Sequence, residues 1–305
     1  MKKFLAFLVV FMVGCVSSNQ TTIVGNGVSI NTFGSDLPDY VTGDKVEIGY
    51  EVQNNGGTVA TNVWALLFGL NSAEWSIDSA TKNPTKVAAS LEGPLEDAKL
   101  PGDSQTGRWK LRAPSVPQGI SQNYNALLRV FYSYGSKASA TVPIITEDEF
   151  KRMRASNEAM PNIGTTFISK GPLNIHISAR APEVMRNDTD TFRVVINVEN
   201  NGGGSVFEPS VLAGFSEGNE ASASVSQESM NKFRINIVAQ GVTAADCAAL
   251  GSEQTESLRN GKSMTYNCEL KITRKVPRID VPITVFLSYG YQIDKTSTLK
   301  VSGNT

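Results

Sequence analysis

The stretch Val46–Gly57 (VEIGYEVQNNGG) recurs as Phe192–Gly203 (FRVVINVENNGG), displaced by 146 residues. Later, Phe131–Gly135 (FYSYG) recurs as Phe286–Gly290 (FLSYG), displaced by 155. Between them, Gly102-Asp103-Ser104 with Trp109 and Leu111 matches Gly261-Lys262-Ser263 with Cys268 and Leu270, displaced by 159. The order of matches is kept while the displacement drifts, as loop insertions in one copy would produce. A duplicated unit limits the chain to folds that can be built twice. At 305 residues it has room for two domains.

Each repeated block reads as strand. Val46, Ile48, Tyr50 and Val52 alternate with polar or small residues, and so do Phe192, Val194, Ile196 and Val198; period-two alternation marks a strand with one buried face. Asn-Asn-Gly-Gly then supplies residues tolerant of positive φ, predicting a tight turn. Val63–Leu70 reads as the returning strand, with Val211–Phe215 as its counterpart. Leu128, Val130, Tyr132 and Tyr134 alternate, matched by Ile283, Val285, Leu287 and Tyr289. The segments Ala138–Ile145 and Thr296–Val301 are then expected to complete each unit as its last strand. About seven short strands per copy predict an all-β chain of two tandem immunoglobulin-like β-sandwiches, each with its own core. The longer stretch Gln227–Asn260 reads as a loop of the second copy. The expected division is residues 1–15 as signal peptide, 16–21 as polar tether, 22–145 as sandwich 1, 146–171 as a short helix and linker, and 172–305 as sandwich 2. The helix prediction rests on Thr146-Glu147-Asp148-Glu149, a capping-box sequence with acids first and Lys151, Arg152 and Arg154 after them. It is expected to run to Met160 and to end at Pro161 and Gly164.

The first fifteen residues read as an export signal. Lys2 and Lys3 precede the ten-residue apolar run Phe4–Val13, too short for a bilayer span of about 20 residues and of the length a secretory signal uses. Met12-Val13-Gly14-Cys15 resembles a lipobox, in which small residues precede a cysteine that is lipidated; Met12 stands where leucine is usual. That resemblance implies a membrane anchor through lipid at Cys15, each buried methylene contributing about 0.8 kcal/mol. The bland alternative is a signal peptide discarded with its cysteine. Cys247 and Cys268 remain as a pair, expected to form a disulfide in an oxidising compartment; a metal site is the alternative, without a His or third Cys nearby. An export signal and a disulfide together predict an exported, membrane-anchored protein in a periplasmic-type space or at the cell surface.

The shape Val-x-Ile-x-Tyr-x-Val followed by Gln53-Asn54-Asn55-Gly56-Gly57, or by Glu199-Asn200-Asn201-Gly202-Gly203, is similar to the CARDB-type immunoglobulin-like domains of prokaryotic surface proteins. Leu100-Pro101-Gly102-Asp103-Ser104 resembles the proline/glycine-x-serine start of a later strand in that family. The resemblance spans residues 22–145 and 172–303 in outline, and the second copy departs from it with its two cysteines. It implies an extracellular spacer or adhesive module and brings no catalytic residues.

Chemistry is sparse. The net charge is −1, and loss of Lys2 and Lys3 with the signal leaves 26 basic against 29 acidic side chains, so nothing offsets a phosphate backbone and no nucleic-acid partner is expected. His176 is the one histidine, flanked by Ile175 and Ile177, and reads as a solvent-side strand residue rather than a base. Asp36, Asp39 and Asp44 form an acidic group that could hold Ca²⁺ through hard oxygen ligands, and acids near turns also arise from local backbone bonding. Gly202-Gly203-Gly204 opens into Ser-Val-Phe rather than a helix with Lys, so it is no phosphate loop. No catalytic site, metal or cofactor is expected, and the chain reads as not an enzyme. Of Tyr132, Tyr134, Tyr289 and Tyr291, the last follows Gly290, read as a turn, and is the expected exposed ligand contact. The functional expectation is a structural, adhesive or protein-interaction module with a protein or glycan partner at the surface. The alternative is a glycan- or ligand-binding accessory lipoprotein of a transport or secretion system.

Overall fold

The computed structural model describes residues 27–78, 80–187, 190–273 and 276–304. Cys15, with the expected signal peptide and polar tether, lies outside them. The first half of the chain forms β1 (Val28–Ser35), β2 (Asp39–Val41), β3 (Lys45–Asn54), β4 (Ala60–Phe68), β5 (Ser76–Ile77), β6 (Thr85–Leu91), β7 (Ser104–Arg112) and β8 (Ser121–Thr146). One helix follows, α1 (Glu147–Ala155). The second half forms β9 (Gly164–Ile168), β10 (Leu173–Ala179), β11 (Glu183–Met185), β12 (Asp190–Asn200), β13 (Ser205–Phe207), β14 (Lys232–Ala239), β15 (Thr243–Asp246), β16 (Gln254–Ser257), β17 (Ser263–Ile272) and β18 (Arg278–Ser302). Thr146 caps α1, its hydroxyl accepting from the Glu149 N–H at 3.3 Å, and the helix ends at Ala155 rather than Met160.

The molecule is all-β in its sheets, which stack as sandwiches. A four-stranded sheet β1-β3-β7-β5 belongs to the first half and β10-β12-β17-β15 to the second. Both face one ten-stranded sheet that runs through the whole molecule in the order β16-β14-β18-β8-β4-β6, with β9 and β11 added on β8 and β2 and β13 on β18. The alternation read in the sequence is the pattern of burial: Val46, Ile48, Tyr50 and Val52 of β3 and Phe192, Val194, Ile196 and Val198 of β12 all point inward. At equivalent places in the two halves, Trp109 of β7 lies opposite Ile48, its ring 4.8 Å from that of Tyr50, and Cys268 of β17 lies opposite Val194, bonded to Cys247. One copy fills the centre of its sandwich with an indole and the other with a disulfide. In the chain-entropy view a bridge closing a loop of this size contributes about 3 kcal/mol.

The long strands depart from expectation. Ala138–Ile145 and Thr296–Val301 are not the last strands of their own units. They continue β8 and β18 without a break, because the inward phase is kept straight through Gly135 and Gly290: Tyr134, Ser136, Ala138 and Ala140 are buried in succession, as are Tyr289 and Tyr291. Neither glycine has positive φ, so neither makes a turn. Gly290 is needed for another reason, since a Cβ there would meet the Phe207 ring at 2.2 Å. β8 and β18 pair antiparallel from Ser121↔Ser302 to Ile145↔Arg278, with Tyr134 opposite Tyr289, its own counterpart in the repeat. The ladder is therefore a pseudo-twofold. The end of β8 lies in the sheet of the second half, where β11 pairs parallel with Ile144–Thr146, and the end of β18 lies in the sheet of the first, where β2 pairs parallel with Lys300–Ser302. Each copy lends its last strand to the other. The expected separate cores are replaced by one buried cluster reaching from Val28 and Val46 to Val281 and Val301.

Two more readings are corrected. Val211–Phe215 is no strand: Pro209 starts a 3-10 helix over Pro209–Gly214, and the strand that returns beside β18 is β14. The stretch 227–260, read as a loop, carries β14, β15 and β16. The first copy carries only a bulge at Asn62 (φ +51), inside β4, where the second makes an excursion over residues 208–231 and rejoins the sheet at Asn231 (φ +63).

If the halves are interlocked, cutting the connection should not part them. A protease site placed between Asn157 and Asn162 and cleaved in the folded protein is expected to leave two fragments that co-elute in native buffer and separate only in denaturant. Separation without denaturant would refute the exchange.

Candidate interaction surface

Four tyrosines gather where the halves meet. Tyr132, Tyr134, Tyr289 and Tyr291 lie inward on the paired centres of β8 and β18, with ring centroids 5.8 to 6.3 Å apart around the group. Their hydroxyls hold the loops that close over the junction. Tyr132 accepts from the Val28 N–H at 3.2 Å and Tyr134 from the Thr58 N–H at 3.1 Å. Tyr289 accepts from the Leu173 N–H at 3.3 Å and shares a 2.8 Å bond with Ser136 Oγ. Tyr291 accepts from the Gly204 N–H at 2.8 Å and donates to Asn200 Oδ1 at 2.7 Å. The Asn-Asn-Gly-Gly turns are tied in the same way in both copies: the Asn54 and Asn200 amides donate to the carbonyls of Thr58 and Gly204, four residues on. Tyr291, expected as an exposed ligand contact, is fully buried. The misreading followed from taking Gly290 for a turn; in a continuous strand the residue two beyond Tyr289 points to the same inward face. Burial pushes its hydroxyl up to about 12, and raises those of Tyr132, Tyr134, Tyr289 and Tyr50.

The other candidates are scattered. His176 is exposed on β10 between buried Ile175 and Ile177. The three acids have separate partners: Tyr40 donates to Asp36 and holds its carboxyl below the usual range, Asp39 pairs with Lys300 at 3.1 Å, and Asp44 accepts from the Val41 N–H at 2.7 Å. Among the described residues no group of His, Cys, Asp and Glu could hold a metal. Cys247 and Cys268 are joined. No helix among the described residues is long and apolar enough to cross a membrane.

The surface includes two open grooves at equivalent places and two unlike sheet faces. On the first four-stranded sheet Gly34 pairs with Gly49, and the missing side chains leave a groove of about 860 Å³ among Thr32, Asp36, Glu47, Tyr50 and Arg108. Arg108 and Lys110 both reach Glu47, at 3.1 and 3.7 Å. The corresponding place on the second sheet is a groove of about 510 Å³ among Ser178, Arg180, Glu183, Arg193 and Glu269. The repeat puts Arg193 where the first copy has Glu47, so the two grooves differ in charge. On the ten-stranded sheet, the outer face of the first half is covered by the excursion 208–231. Phe207, Leu212 and Phe215 bury Trp64 and Phe131 there, with Phe131 lying 5.1 Å from the Phe215 ring and 6.1 Å from that of Phe207. The excursion is fastened at its far end by Glu217 on Lys82 (2.8 Å) and Glu220 on Asn83 (2.7 Å). Among the described residues no excursion covers the second half, and Phe286, the repeat partner of Phe131, is 40% exposed. Nothing in the sequence distinguished these two phenylalanines; the signal lay in the extra residues between Phe207 and β14.

No family model matches the chain, and no curated protein does. Among solved structures, the chain is similar at 9% identity and a TM-score of 0.21 to the secreted serine protease VesC from Vibrio cholerae; the match covers 89% of this chain and spans half the length of that one. It is similar at 10% identity and a TM-score of 0.18 to the CupB6 tip adhesin from Pseudomonas aeruginosa, covering 92% of this chain and 99% of that one. A third, the MSCRAMM ACE of Enterococcus faecalis, which binds its ligands by the collagen Hug model, shares 8% identity at a TM-score of 0.13, covering 90% of this chain and 95% of that one. The expectation that the chain is not an enzyme is corrected by the first match, which removes the exclusion; at 9% identity and a TM-score of 0.21 it assigns no activity.

The junction generates two expectations. Tyr291→Phe strips the Gly204 N–H of its acceptor in a buried place and should cost about 1–3 kcal/mol in denaturant unfolding; a loss-free variant would show the bond to be idle. Because the five hydroxyls are raised in the fold, and unfolded tyrosine ionises near pH 10, their contribution is complete below about pH 10 and is lost as pH climbs from there through the folded values. The urea midpoint should hold level to about pH 9 and fall beyond about pH 10. A midpoint level to about pH 12 would sink this account.

Proposed function

We propose that this chain is an exported, lipid-anchored surface protein whose two β-sandwich copies, residues 22–145 and 172–305, form one rigid interaction module of CARDB-type immunoglobulin-like character. The observation that carries the reading is the exchange of last strands between the copies. It fuses two sandwiches into a single platform and leaves their outer sheet faces, with the grooves at Glu47–Arg108 and Arg193–Glu269, turned to solvent. Groove-like, polar and differently charged surfaces on a stiff scaffold suit recognition of an extended partner. The Cys247–Cys268 disulfide supports an oxidising, exported setting. The lipobox-like Met12–Cys15 supplies the anchor, and the polar tether 16–21 the spacing from the membrane. The alternative of a glycan- or ligand-binding accessory lipoprotein loses its nominated contact, since Tyr291 is inside.

Two readouts test the proposal. Metabolic lipid labelling should mark the wild type, and Cys15→Ser should lose the label and leave the membrane fraction. Cells bearing the chain should attach to a partner-coated surface, and the paired charge reversals Arg108→Glu and Arg193→Glu should reduce attachment several-fold without changing the label. An unlabelled wild-type chain overturns the anchor, and unchanged attachment overturns the role of the grooves.

A further inference from the structure

The two halves are related by the pseudo-twofold through Tyr134 and Tyr289, yet their outer faces on the ten-stranded sheet are treated unequally. On the first half, Phe131 is 1% exposed under an excursion contributed by the second copy. The first copy has no such excursion among the described residues, and there the equivalent face of the second half is bare. It carries Phe167 of β9, Phe286 of β18 and Val238 of β14, exposed by 50, 40 and 46%. Lys137 of β8 stands between the two rings, its Nζ 5.9 Å from Phe167 and 5.4 Å from Phe286. Where Phe207 lies over Gly290 on the covered face, the matching Gly135 on the bare face has no ring over it, the nearest atom to a Cβ there being a backbone oxygen at 3.3 Å.

The molecule itself shows what fits such a face. The covering excursion carries one aromatic ring, Phe215, with Glu208, Glu217, Glu220 and Glu228 and without a single Lys or Arg. It binds by that ring, edge-on over Phe131, and by carboxylates at the rim. The bare face offers the same phenylalanine and glycine, with a central cation, Lys137, that has aromatic rings rather than a carboxylate beside it. We infer that the outer face of the second half around Gly135, Lys137, Phe167 and Phe286 docks an acidic, aromatic-bearing polypeptide segment of a partner protein, in the manner that residues 208–231 dock on the first half. The inference rests on the reading of the chain as an interaction module and names one of its surfaces. A ring of the partner fills the place over Gly135 against Phe286, and its carboxylate meets Lys137.

The test uses the full chain and, as probe, a fluorescent synthetic peptide of residues 206–231. Saturable binding is expected, weakened about tenfold or more by Phe286→Ser and, independently, by the exposed charge reversal Lys137→Glu; unchanged melting temperatures separate lost binding from lost fold. Three results overturn the inference. One is no saturation up to millimolar peptide. Another is binding lost on Lys82→Glu but kept by Phe286→Ser, which means that the peptide displaces its own cis copy. The third is a concentration-dependent dimer abolished by Phe286→Ser, which makes a second copy of this chain the occupant. Lipid labelling at Cys15 is read separately, so a failed titration leaves the anchoring proposal standing.

Discussion

Along the ladder between β8 and β18, Ser302 to Arg278 meets Ser121 to Ile145 without a register shift. Every other feature of the molecule is arranged around that pairing. It supplies the central strands of the ten-stranded sheet, it carries the end of each copy into the sandwich of the other, and its midpoint places the four tyrosines where the halves touch. A one-residue slip would turn Leu128, Val130, Tyr132 and Tyr134 to the outer face and bring Lys137 and Ser139 inward, so the register is held by every buried position at once. Contacts so distant in sequence cost loop-closure entropy, but that cost grows only slowly with loop length. It is offset by a core that neither half could complete alone.

The junction also shows how a duplicated unit diverges when its copies are interlocked. The pseudo-twofold maps the cross-strand pair Tyr132–Tyr291 onto Leu287–Ser136. One side of the axis therefore holds two large rings and the other a leucine and a serine. The smaller pair leaves room for polar groups, and Ser136 Oγ uses it to donate to the Leu173 carbonyl at 2.8 Å and to bond the Tyr289 hydroxyl. The larger pair fills its side with rings and sends its hydroxyls to Val28, Gly204 and Asn200. The change at one position is matched at its partner, as close packing demands. Deeper in each sandwich, Trp109 in one copy and the cystine in the other solve the same filling problem by different means.

Much of this was legible from residues alone, and the boundary of legibility has a physical cause. Burial on one face leaves a period-two trace, so β3, β12 and the inward positions of β8 and β18 could be read directly from Val46–Val52, Phe192–Val198 and Leu128–Tyr134. The solvent side of His176 followed from the same alternation, and the Cys247–Cys268 bond from the two cysteines left to pair in an oxidising compartment. What could not be read was which strand a strand pairs with. A sequence records alternation but not partners, and Gly135 and Gly290 look like turns until the unbroken phase across them is weighed against the glycine. That single judgement moved Tyr291 from the surface to the core and hid the exchange of last strands. The excursion 208–231 failed differently: its apolar residues are spaced for a strand, and only Pro209 with the acids around it argues against one.

The unequal outer faces follow from the same geometry. Strand exchange leaves each copy's connecting segments beside the other copy's half of the sheet, so an insertion in one copy alters the surface of its neighbour rather than its own. The excursion that leaves β13 after Phe207 can only lie over Trp64 and Phe131, because β13 runs along β18 on the side toward the first half. The bulge at Asn62 within β4 gives the first copy nothing to lay over Phe286. A twofold scaffold carrying one insertion thus has one closed face and one open face of nearly the same chemistry. The closed face states what the open one accepts: rings packed edge-on against a phenylalanine, with carboxylates at the rim. In that sense the symmetry of the backbone turns a difference in loop length into a difference in exposure, and exposure is what a binding surface requires.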